Sequence, residues 1–244
     1  MKKITLLMFV VLIGLVAMQS DFAMRAMAQS CGPPPVCQPN PSSPDCTRST
    51  PPNCASTCHW DSVSCVWADC GPSPIIIDIN GDGYDLTSAA NGVRFDMYGN
   101  GRLQQLSWTS RGSDEAFLAL DRNGDGRITS GKELFGNITE QPVTEEPNGF
   151  TALTVFDANG DHWIDARDPI YQRLQLWVDS NHDGVSQRRE LFSLIAKGVE
   201  AISCDYRLSK RSDRYGNRFR FKALARINGV ERGVWDIFFV SLVE

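Results

Sequence analysis

Apolar residues are spaced in three different ways along the 244 residues of this chain. Residues 75–77 form a continuous apolar run after Pro74, which predicts a short buried β-strand. After Gly198 the period is two, because charged and apolar residues alternate over 218–223, and this predicts a strand with one face in solvent. Between these regions the spacing is helical, and it predicts helices over 115–120, 149–156, 168–176 and 187–197.

The C-terminal residues predict a β-hairpin. Asn228-Gly229 is a strong two-residue turn, and 235–243 supplies the return strand. Two more short strands are predicted at 93–96 and 103–108. The predicted fold class is therefore α+β, with EF-hand-like helix–loop units flanked by short strands and a C-terminal β-hairpin, preceded by a Cys/Pro-rich segment.

The N-terminus has the features of an export signal. Two lysines follow Met1, an apolar run covers 4–18, and a small-residue motif ends at Ala28, which together predict a signal peptide over 1–28. Secretion to the extracellular space is the expectation. The alternatives are a periplasmic protein and a cell-surface lipoprotein anchored through Cys31. No stretch is apolar and long enough to predict a membrane span.

Cysteine usage separates a second segment from the rest of the chain. Seven of the eight cysteines lie between Cys31 and Cys70, among many prolines, and export predicts disulfides there. Because seven is odd, either Cys204 pairs with this segment or one thiol stays free or modified. We expect 29–73 to be a Cys/Pro-rich disulfide segment and 74–244 to be one calcium-binding domain with its own core.

The strongest chemical pattern is an Asp-x-Asn-x-Asp repeat, which occurs at 121–125, 157–161 and 179–183. Side chains two residues apart point inward in a loop that wraps an ion, and Ca²⁺ takes oxygen ligands. An EF-hand loop uses positions 1, 3, 5, 7 (a backbone carbonyl), 9 and 12. Metal-free turns are the alternative, since Asp, Asn and Gly also favour turns. However, clustered carboxylates repel one another unless a cation neutralises them, so we expect about three to four calcium ions.

The loop 179–190 fits the twelve-residue pattern best. Its predicted ligands are Asp179, Asn181, Asp183, the carbonyl of Val185 and Glu190. Ser186 departs from the pattern, because EF-hands usually place there a β-branched apolar residue that pairs with a neighbouring loop.

The loop 121–133 is one residue longer. Gly131 is expected to adopt a left-handed conformation that absorbs the extra residue, and Ile128 occupies the pairing position. The predicted ligands are Asp121, Asn123, Asp125, the carbonyl of Arg127 and Glu133.

Two further loops depart more from the pattern. In 157–168, His162 replaces the turn glycine and a shorter Asp closes the loop. The predicted ligands there are Asp157, Asn159, Asp161, the carbonyl of Trp163 and Asp168. Upstream, Asp78, Asn80 and Asp82 give only the entering half of a loop. Its closing position is Ala89, so a ligand from elsewhere or water must complete the site.

From residue 73 onward the chain resembles secreted bacterial EF-hand-like proteins, including calcium-loop modules of RTX-type (repeat-in-toxin) exoproteins. The motifs that carry the resemblance include Ser73-Pro-Ile-Ile-Ile-Asp-Ile-Asn-Gly-Asp-Gly, Glu133-Leu-Phe-Gly-Asn and Leu176-Trp-Val-Asp-Ser-Asn-His-Asp-Gly. The resemblance implies calcium loops and makes the longer loop 121–133 a family trait. Some relatives are self-processing modules that cleave an Asp-Pro bond just before the first loop. Here that junction is Ser73-Pro74, which lacks the carboxylate nucleophile, so self-cleavage is not expected at this place.

Candidate catalytic residues are scarce. The chain has three histidines, two of them inside the predicted loops, and it has no hydrolase or phosphate-binding motif. We therefore expect a secreted calcium-binding protein that is not an enzyme and whose ions order its fold. The alternative is a calcium-dependent interaction or adhesion module with an extracellular protein partner, and a calcium-triggered self-cleaving module is less expected. The net charge of −5 belongs to the loops, and no nucleic-acid partner is expected.

Overall fold

The structure is a computed structural model that describes residues 59–61, 66–68, 71–144 and 146–242. The predicted signal peptide, most of the Cys/Pro-rich segment and its seven cysteines lie outside the described residues. Strands β1 (His59–Asp61) and β2 (Val66–Ala68) form an antiparallel pair in one compact unit. Residues 71–242 belong to a second unit, which carries all the predicted metal loops.

The second unit is built around one antiparallel sheet. A separate two-stranded ladder is formed by β4 (Val93–Phe95) and β5 (Gln104–Leu106). The strands of the nine-stranded main sheet are β3 (Ile75–Asp78), β6 (Glu115–Ala119), β7 (Trp163–Asp165), β8 (Gln175–Trp177), β9 (Leu191–Ser193), β10 (Val199–Ser203), β11 (Arg207–Ser212), β12 (Arg218–Ile227) and β13 (Val230–Phe238). Their order is β7-β10-β12-β13-β3-β6-β8-β9, and β11 pairs with β12 beside this path.

The predicted α+β class with EF-hand-like helix–loop units is wrong, because the described part of the chain is mostly β. It contains a single short α-helix, α1 (Gly149–Thr154), together with several 3₁₀ turns. Three of the four predicted helices are replaced: 115–119 is a strand, 168–176 is a series of turns leading into β8, and 187–197 consists of two 3₁₀ turns around β9.

The error has a physical cause in how the central strands are buried. Ile75 and Ile77 of β3 face one hydrophobic core, and Ile76 faces a second core on the other side of the sheet. In β6, Leu118 and Phe117 divide between the same two cores. A strand buried on both faces loses the period of two, so its apolar run cannot be told from a buried helix by spacing alone.

The predicted C-terminal hairpin and its turn are confirmed, but the return strand begins at Val230 and ends at Phe238, whereas it was predicted at 235–243. Strands β12 and β13 pair from Arg218↔Phe238 to Ile227↔Val230, with Asn228-Gly229 between them. Both turn residues have positive φ, 49° and 74°, which a type I′ turn requires at its two central positions. The predicted strands at 93–96 and 103–108 are also present, as β4 and β5.

Cys204 lies in the core and is 3% exposed, and it forms no disulfide in the described structure. Burial raises the pKa of its thiol to about 12. Within the described residues, no helix has the length and apolar character that would let it cross a bilayer.

Candidate metal centres

Three groups of carboxylates converge in the described part of the chain. In each group, one ligand oxygen per residue lies within 4.8 Å of the others. Centre 1 comprises Asp78, Asp82 and Asp114; centre 2 comprises Asp121, Asp125 and Glu133; centre 3 comprises Asp179, Asp183 and Glu190. Each centre borders one of three neighbouring strands of the main sheet, β3, β6 and β8. The sheet therefore fixes where the loops begin.

Centre 1 gathers residues that are distant in sequence. Asp78 ends β3 and pairs with Glu115 of β6, so the residue before β6, Asp114, lies beside the loop that follows β3. Its Oδ2 accepts a hydrogen bond of 2.6 Å from the backbone N–H of Asn80. The Asp78 carboxylate accepts the N–H groups of Gly81 and Gly83 at 2.6 and 2.9 Å.

Asp114 was missed by sequence reasoning. The loop beginning at Asp78 lacks a closing acid, and we expected a ligand from elsewhere or water; the structure brings Asp114 there. Its sequence signal is weak, because an acid before an apolar strand is common. Only the β3–β6 pairing identifies it.

Glu115 adds a buried acid next to centre 1. It is 2% exposed, and its Oε1 accepts the N–H of Asp85 at 2.6 Å. Its Oε2 is buried without a hydrogen-bond partner. Burial raises the pKa of the Glu115 carboxyl above its usual range, because the charged form loses its hydration. A cation at centre 1 would relieve part of this cost.

Centre 2 is formed by the loop 121–133. The Asp121 carboxylate accepts the N–H groups of Gly124 and Gly126 at 2.7 and 2.8 Å. The Asn123 Oδ1 accepts the N–H of Asp125, whose own Oδ1 accepts the N–H of Arg127, both at 2.8 Å. These contacts fold the loop so that its oxygens crowd together.

Glu133 closes centre 2 from a 3₁₀ turn, Gly131–Glu133. Its Oε2 accepts the Thr129 N–H and hydroxyl at 2.8 and 2.9 Å. The residue is only 4% exposed, and its Oε1 is buried without a hydrogen-bond partner. This is an acceptor with a free lone pair in a carboxylate cluster, which is where a cation would bind.

The expected left-handed conformation of Gly131 is wrong. Gly131 is absent from the positive-φ residues of the described chain, and the 3₁₀ turn absorbs the extra residue instead. Glycine is needed there for space: a Cβ would lie 2.0 Å from the carbonyl oxygen of Met97.

Centre 3 has the most buried carboxylates. Asp179 and Glu190 are each 1% exposed. The Asp179 Oδ2 accepts the N–H of Gly184 and the indole N–H of Trp108, both at 2.8 Å. Glu190 ends a 3₁₀ turn, Arg188–Glu190, and its Oε1 accepts the Ser180 hydroxyl at 3.1 Å.

Asn181 holds the third position of this loop. Its amide N–H₂ donates to Asp183 Oδ2 at 2.8 Å, while its Oδ1 is buried without a partner. The N–H of Val185 donates to Asp183 Oδ1 at 2.9 Å. Asn181 therefore offers a second free acceptor among the predicted ligands.

The middle loop is arranged differently. Asp157, Asp161 and Asp168 do not converge into such a group within the described residues. Asp157 accepts the N–H groups of Gly160 and His162 at 2.8 Å each, and His162 takes the glycine position with φ of 65°. Buried Asp168 accepts the N–H groups of Ala158 and Asp165 at 2.8 and 3.0 Å, so both its oxygens are used to close the backbone.

A guanidinium supplies positive charge to the middle loop. Arg167 forms ion pairs with Asp161 and with Asp165, the latter at 2.6 Å. The hydrogen bonds from Arg167 lower the pKa of the Asp165 carboxyl. Two further hydrogen bonds complete the loop. The backbone N–H of Trp163 donates to Asp161 Oδ1 at 3.0 Å, and the Asn159 Nδ2 donates to Asp161 Oδ2 at 3.2 Å.

The donor chemistry of the three centres suits a hard cation. All their candidate ligand atoms are oxygens, which is the set preferred by calcium and magnesium and disfavoured by zinc. The unpartnered Glu133 Oε1 and Asn181 Oδ1 show that centres 2 and 3 keep acceptor capacity that protein donors do not use. The residues present therefore fit a divalent cation.

Comparison with known proteins places this chain among relatives. The sequence pattern of the SPM domain matches residues 75–240. The chain is also 36% identical over 137 residues to the iron-regulated protein FrpA of Neisseria meningitidis serogroup C, a match that covers 55% of this chain. It covers only 12% of that relative, so the chain corresponds to a small part of a much longer protein. Because the SPM pattern accounts for most of its length and for all three centres, this chain belongs to the SPM domain family.

Proposed function

We propose that this protein is a secreted calcium-binding protein whose ions order the fold at centres 1, 2 and 3. The observation that carries the proposal is Glu133 in centre 2, because its buried carboxylate keeps one oxygen that no protein donor uses, beside two other acids. Calcium is the cation of choice, since it accepts irregular sets of six to eight oxygens, whereas magnesium demands near-octahedral geometry. The resemblance to secreted RTX-type calcium modules and the signal-like N-terminus support the extracellular assignment.

The proposed role is binding and not catalysis. Of the two histidines in residues 71–242, His162 contacts Asp205 at 2.8 Å and His182 lies between the carbonyls of Thr109 and Asn91 at 2.7 and 2.8 Å. Both rings serve to hold the loops. The junction at Ser73-Pro74 carries no carboxylate, so we do not propose self-cleavage there.

Calorimetric titration with calcium, after stripping with a chelator, tests the proposal. We expect about three binding events, accompanied by a gain of β-structure in circular dichroism and no new fragment on a reducing gel. Absence of heat and of structural change would show that the loops are metal-free turns. Calcium-dependent fragments would instead favour the self-cleaving alternative.

A groove favours a second candidate, a calcium-dependent interaction module. It has a volume of about 670 Å³ and lies between the loops of centres 2 and 3. Its lining residues are Asp125, Gly126, Arg127, Gln175, Val185, Ser186, Gln187, Arg188 and Leu191. Gln175 Oε1 is buried without a partner, and the Val185 side chain is 50% exposed. Because most of the lining residues belong to the two predicted metal loops, calcium would set the shape of the groove.

The interaction role predicts a partner that is retained with calcium and released by chelator. Val185→Asp would place a charge on the groove wall without removing a predicted side-chain ligand. We expect it to abolish retention of a protein from culture medium while the number of bound calcium ions is unchanged. Equal retention by the variant would exclude the groove as the docking site.

A further inference from the structure

The loops of centres 2 and 3 are joined by a single side chain. The Ser186 hydroxyl accepts the backbone N–H of Ile128 at 2.7 Å and donates to the carbonyl of the same residue at 3.0 Å. Both residues are buried, with Ile128 1% and Ser186 4% exposed, and they are 58 positions apart. A hydroxyl has one donor and can accept at its lone pairs, so this one group satisfies both backbone groups of Ile128.

Both residues hold the eighth position of their loops, counted from Asp121 and Asp179. The departure from the EF-hand pattern at Ser186 is therefore not a defect. A side chain makes the link that a backbone ladder between apolar residues would otherwise make. Among the described residues, no strand pairing connects the two loops, so the hydroxyl is the direct polar connection between them.

On the side of centre 2, the link adjoins groups that hold ligands. Thr129, next to Ile128, binds Glu133 Oε2 through its N–H and hydroxyl. Arg127, on the other side, donates its N–H to Asp125 Oδ1. A shift of the backbone at Ile128 therefore moves donors of two centre 2 carboxylates.

The side of centre 3 is built the same way. Gln187, next to Ser186, donates its N–H to Glu190 Oε2 at 3.3 Å and its side-chain amide to Asp183 Oδ2 at 2.8 Å. Val185 donates its N–H to Asp183 Oδ1. Each end of the Ser186 link is thus one residue away from the groups that position two carboxylates.

We propose that the Ser186 hydroxyl couples cation binding at centres 2 and 3, so that an ion in either centre raises the affinity of the other. The coupling rests on the proposed function, because it needs ions at both centres. An ion that fixes one set of carboxylates also fixes the backbone at its eighth position. Through the two hydrogen bonds it fixes the other loop, whose ordering then costs less when its own ion binds. Ser186 acts here as a positioning residue and not as a ligand.

A double-mutant cycle measures the coupling with Ca²⁺ alone as the probe. Glu133→Gln weakens centre 2, and the affinity of centre 3 is then measured with and without Ser186→Ala. The Trp108 indole N–H donates to Asp179, so its ¹⁵N-indole resonance, assigned with Trp108→Phe, reports centre 3 separately from the total heat. With Ser186 present, we expect Glu133→Gln to weaken calcium binding at centre 3 about fivefold or more. In the Ser186→Ala background, Glu133→Gln should change the calcium affinity of centre 3 less than about twofold, as expected for independent sites.

Two controls separate coupling from simple loss of stability. Ser186→Thr keeps the hydroxyl and should retain the fivefold effect. Ser241→Ala removes an exposed hydroxyl far along the chain and should leave the effect unchanged. If Ser186→Ala only destabilised the protein, calcium binding would be weaker overall. The factor by which Glu133→Gln weakens centre 3 would then be the same with and without Ser186→Ala.

The outcomes distinguish the two proposals. If the wild-type protein binds no calcium, the proposed function is overturned and the coupling with it. If it binds calcium at both centres but Glu133→Gln leaves centre 3 unchanged, the coupling alone is overturned. Loss of the effect in Ser186→Thr as well as in Ser186→Ala would assign it to packing and would also overturn the role of the hydroxyl.

Discussion

At the scale of single residues, the oxygens that protein donors leave unused are the most informative atoms. Carboxylates of position 1, such as Asp121, look alike in every loop because each accepts two backbone N–H groups of its own turn. Glu133 differs, since one oxygen has two donors and the other has none. The sequence predicted both residues as ligands from spacing, whereas the difference between them depends on burial, which spacing does not encode.

Glu133→Gln should weaken centre 2 and reduce the stability that calcium confers. Extracellular calcium sites bind at roughly 0.1–1 mM, so a site of about 0.1 mM adds about 1.4 kcal/mol at about 1 mM calcium. We expect the calcium-dependent gain in the free energy of unfolding to fall by about that amount in urea titrations. Without calcium the variant should equal or exceed the wild type, because the amide removes a repelling charge.

Glu140→Gln is the matched control for that experiment, because Glu140 is exposed and belongs to no centre. It should leave the calcium-dependent gain unchanged. An unchanged gain in Glu133→Gln would remove Glu133 from the ligand set.

Arg167→Gln should make the middle loop resemble its neighbours. The guanidinium pairs with Asp161 and Asp165, and its hydrogen bonds lower the pKa of the Asp165 carboxyl, so it takes the electrostatic role of an ion. Removing it leaves Asp157, Asp161 and Asp165 without that neutralising charge. We expect native mass spectrometry to show about four bound calcium ions in place of about three, and the calcium-free protein to melt at a lower temperature.

Arg173→Gln provides the comparison for Arg167→Gln, since Arg173 is also exposed and lies in the same segment. It should keep the ion count of the wild type. If Arg167→Gln also keeps it and melts normally without calcium, the guanidinium does not substitute for a cation.

At the scale of elements, turns were predictable and strands buried on both faces were not. Asn228-Gly229 carries its own conformational preference, so the hairpin could be predicted without knowing its neighbours. The strand β6 has no such local marker, and only its position between β3 and β8 makes it a strand. For the same reason Asp114, which precedes β6, could not be assigned to centre 1 from the sequence.

Gly136 tests how closely the elements around centre 2 approach one another. It lies in the Glu133-Leu-Phe-Gly motif and forms a bridge with Pro74, and a Cβ there would lie 1.6 Å from the carbonyl oxygen of Ser73. Because that atom belongs to the backbone, it cannot rotate away. Gly136→Ala should lower the free energy of unfolding by about 2–3 kcal/mol in urea titrations at saturating calcium.

Gly71→Ala is the control for this substitution, because its Cβ would meet Phe239 O at an ordinary 3.7 Å. It should change stability little. A small effect of Gly136→Ala would mean that the backbone near Ser73 can move away from the bridge.

At the scale of the whole molecule, the centres and the sheet stabilise each other. Three neighbouring strands position the loops, and buried acids lie at their ends: Asp78 in β3, Glu115 in β6 and Asp179 just after β8. Buried carboxylates destabilise a fold unless they are paired or bound to a cation. The sequence predicted the acids as candidate ligands, but their placement around one sheet follows from strand order.

Chelation should therefore lower the melting temperature of the whole larger unit in one transition. Three sites of about 0.1 mM at about 1 mM calcium together add about 4 kcal/mol, a large part of the roughly 5–15 kcal/mol typical of a domain. For a domain of this size, each kcal/mol shifts the melting temperature by about 2–4 °C, so a loss of about 8–16 °C is expected with excess chelator. Magnesium at the same concentration should restore little of it, because irregular oxygen clusters suit calcium better than an octahedral ion. If scanning calorimetry gave equal melting temperatures with calcium and with chelator, the carboxylates would have to be stabilised by protein donors alone. If magnesium restored the full shift, the centres would be general divalent sites and not calcium sites.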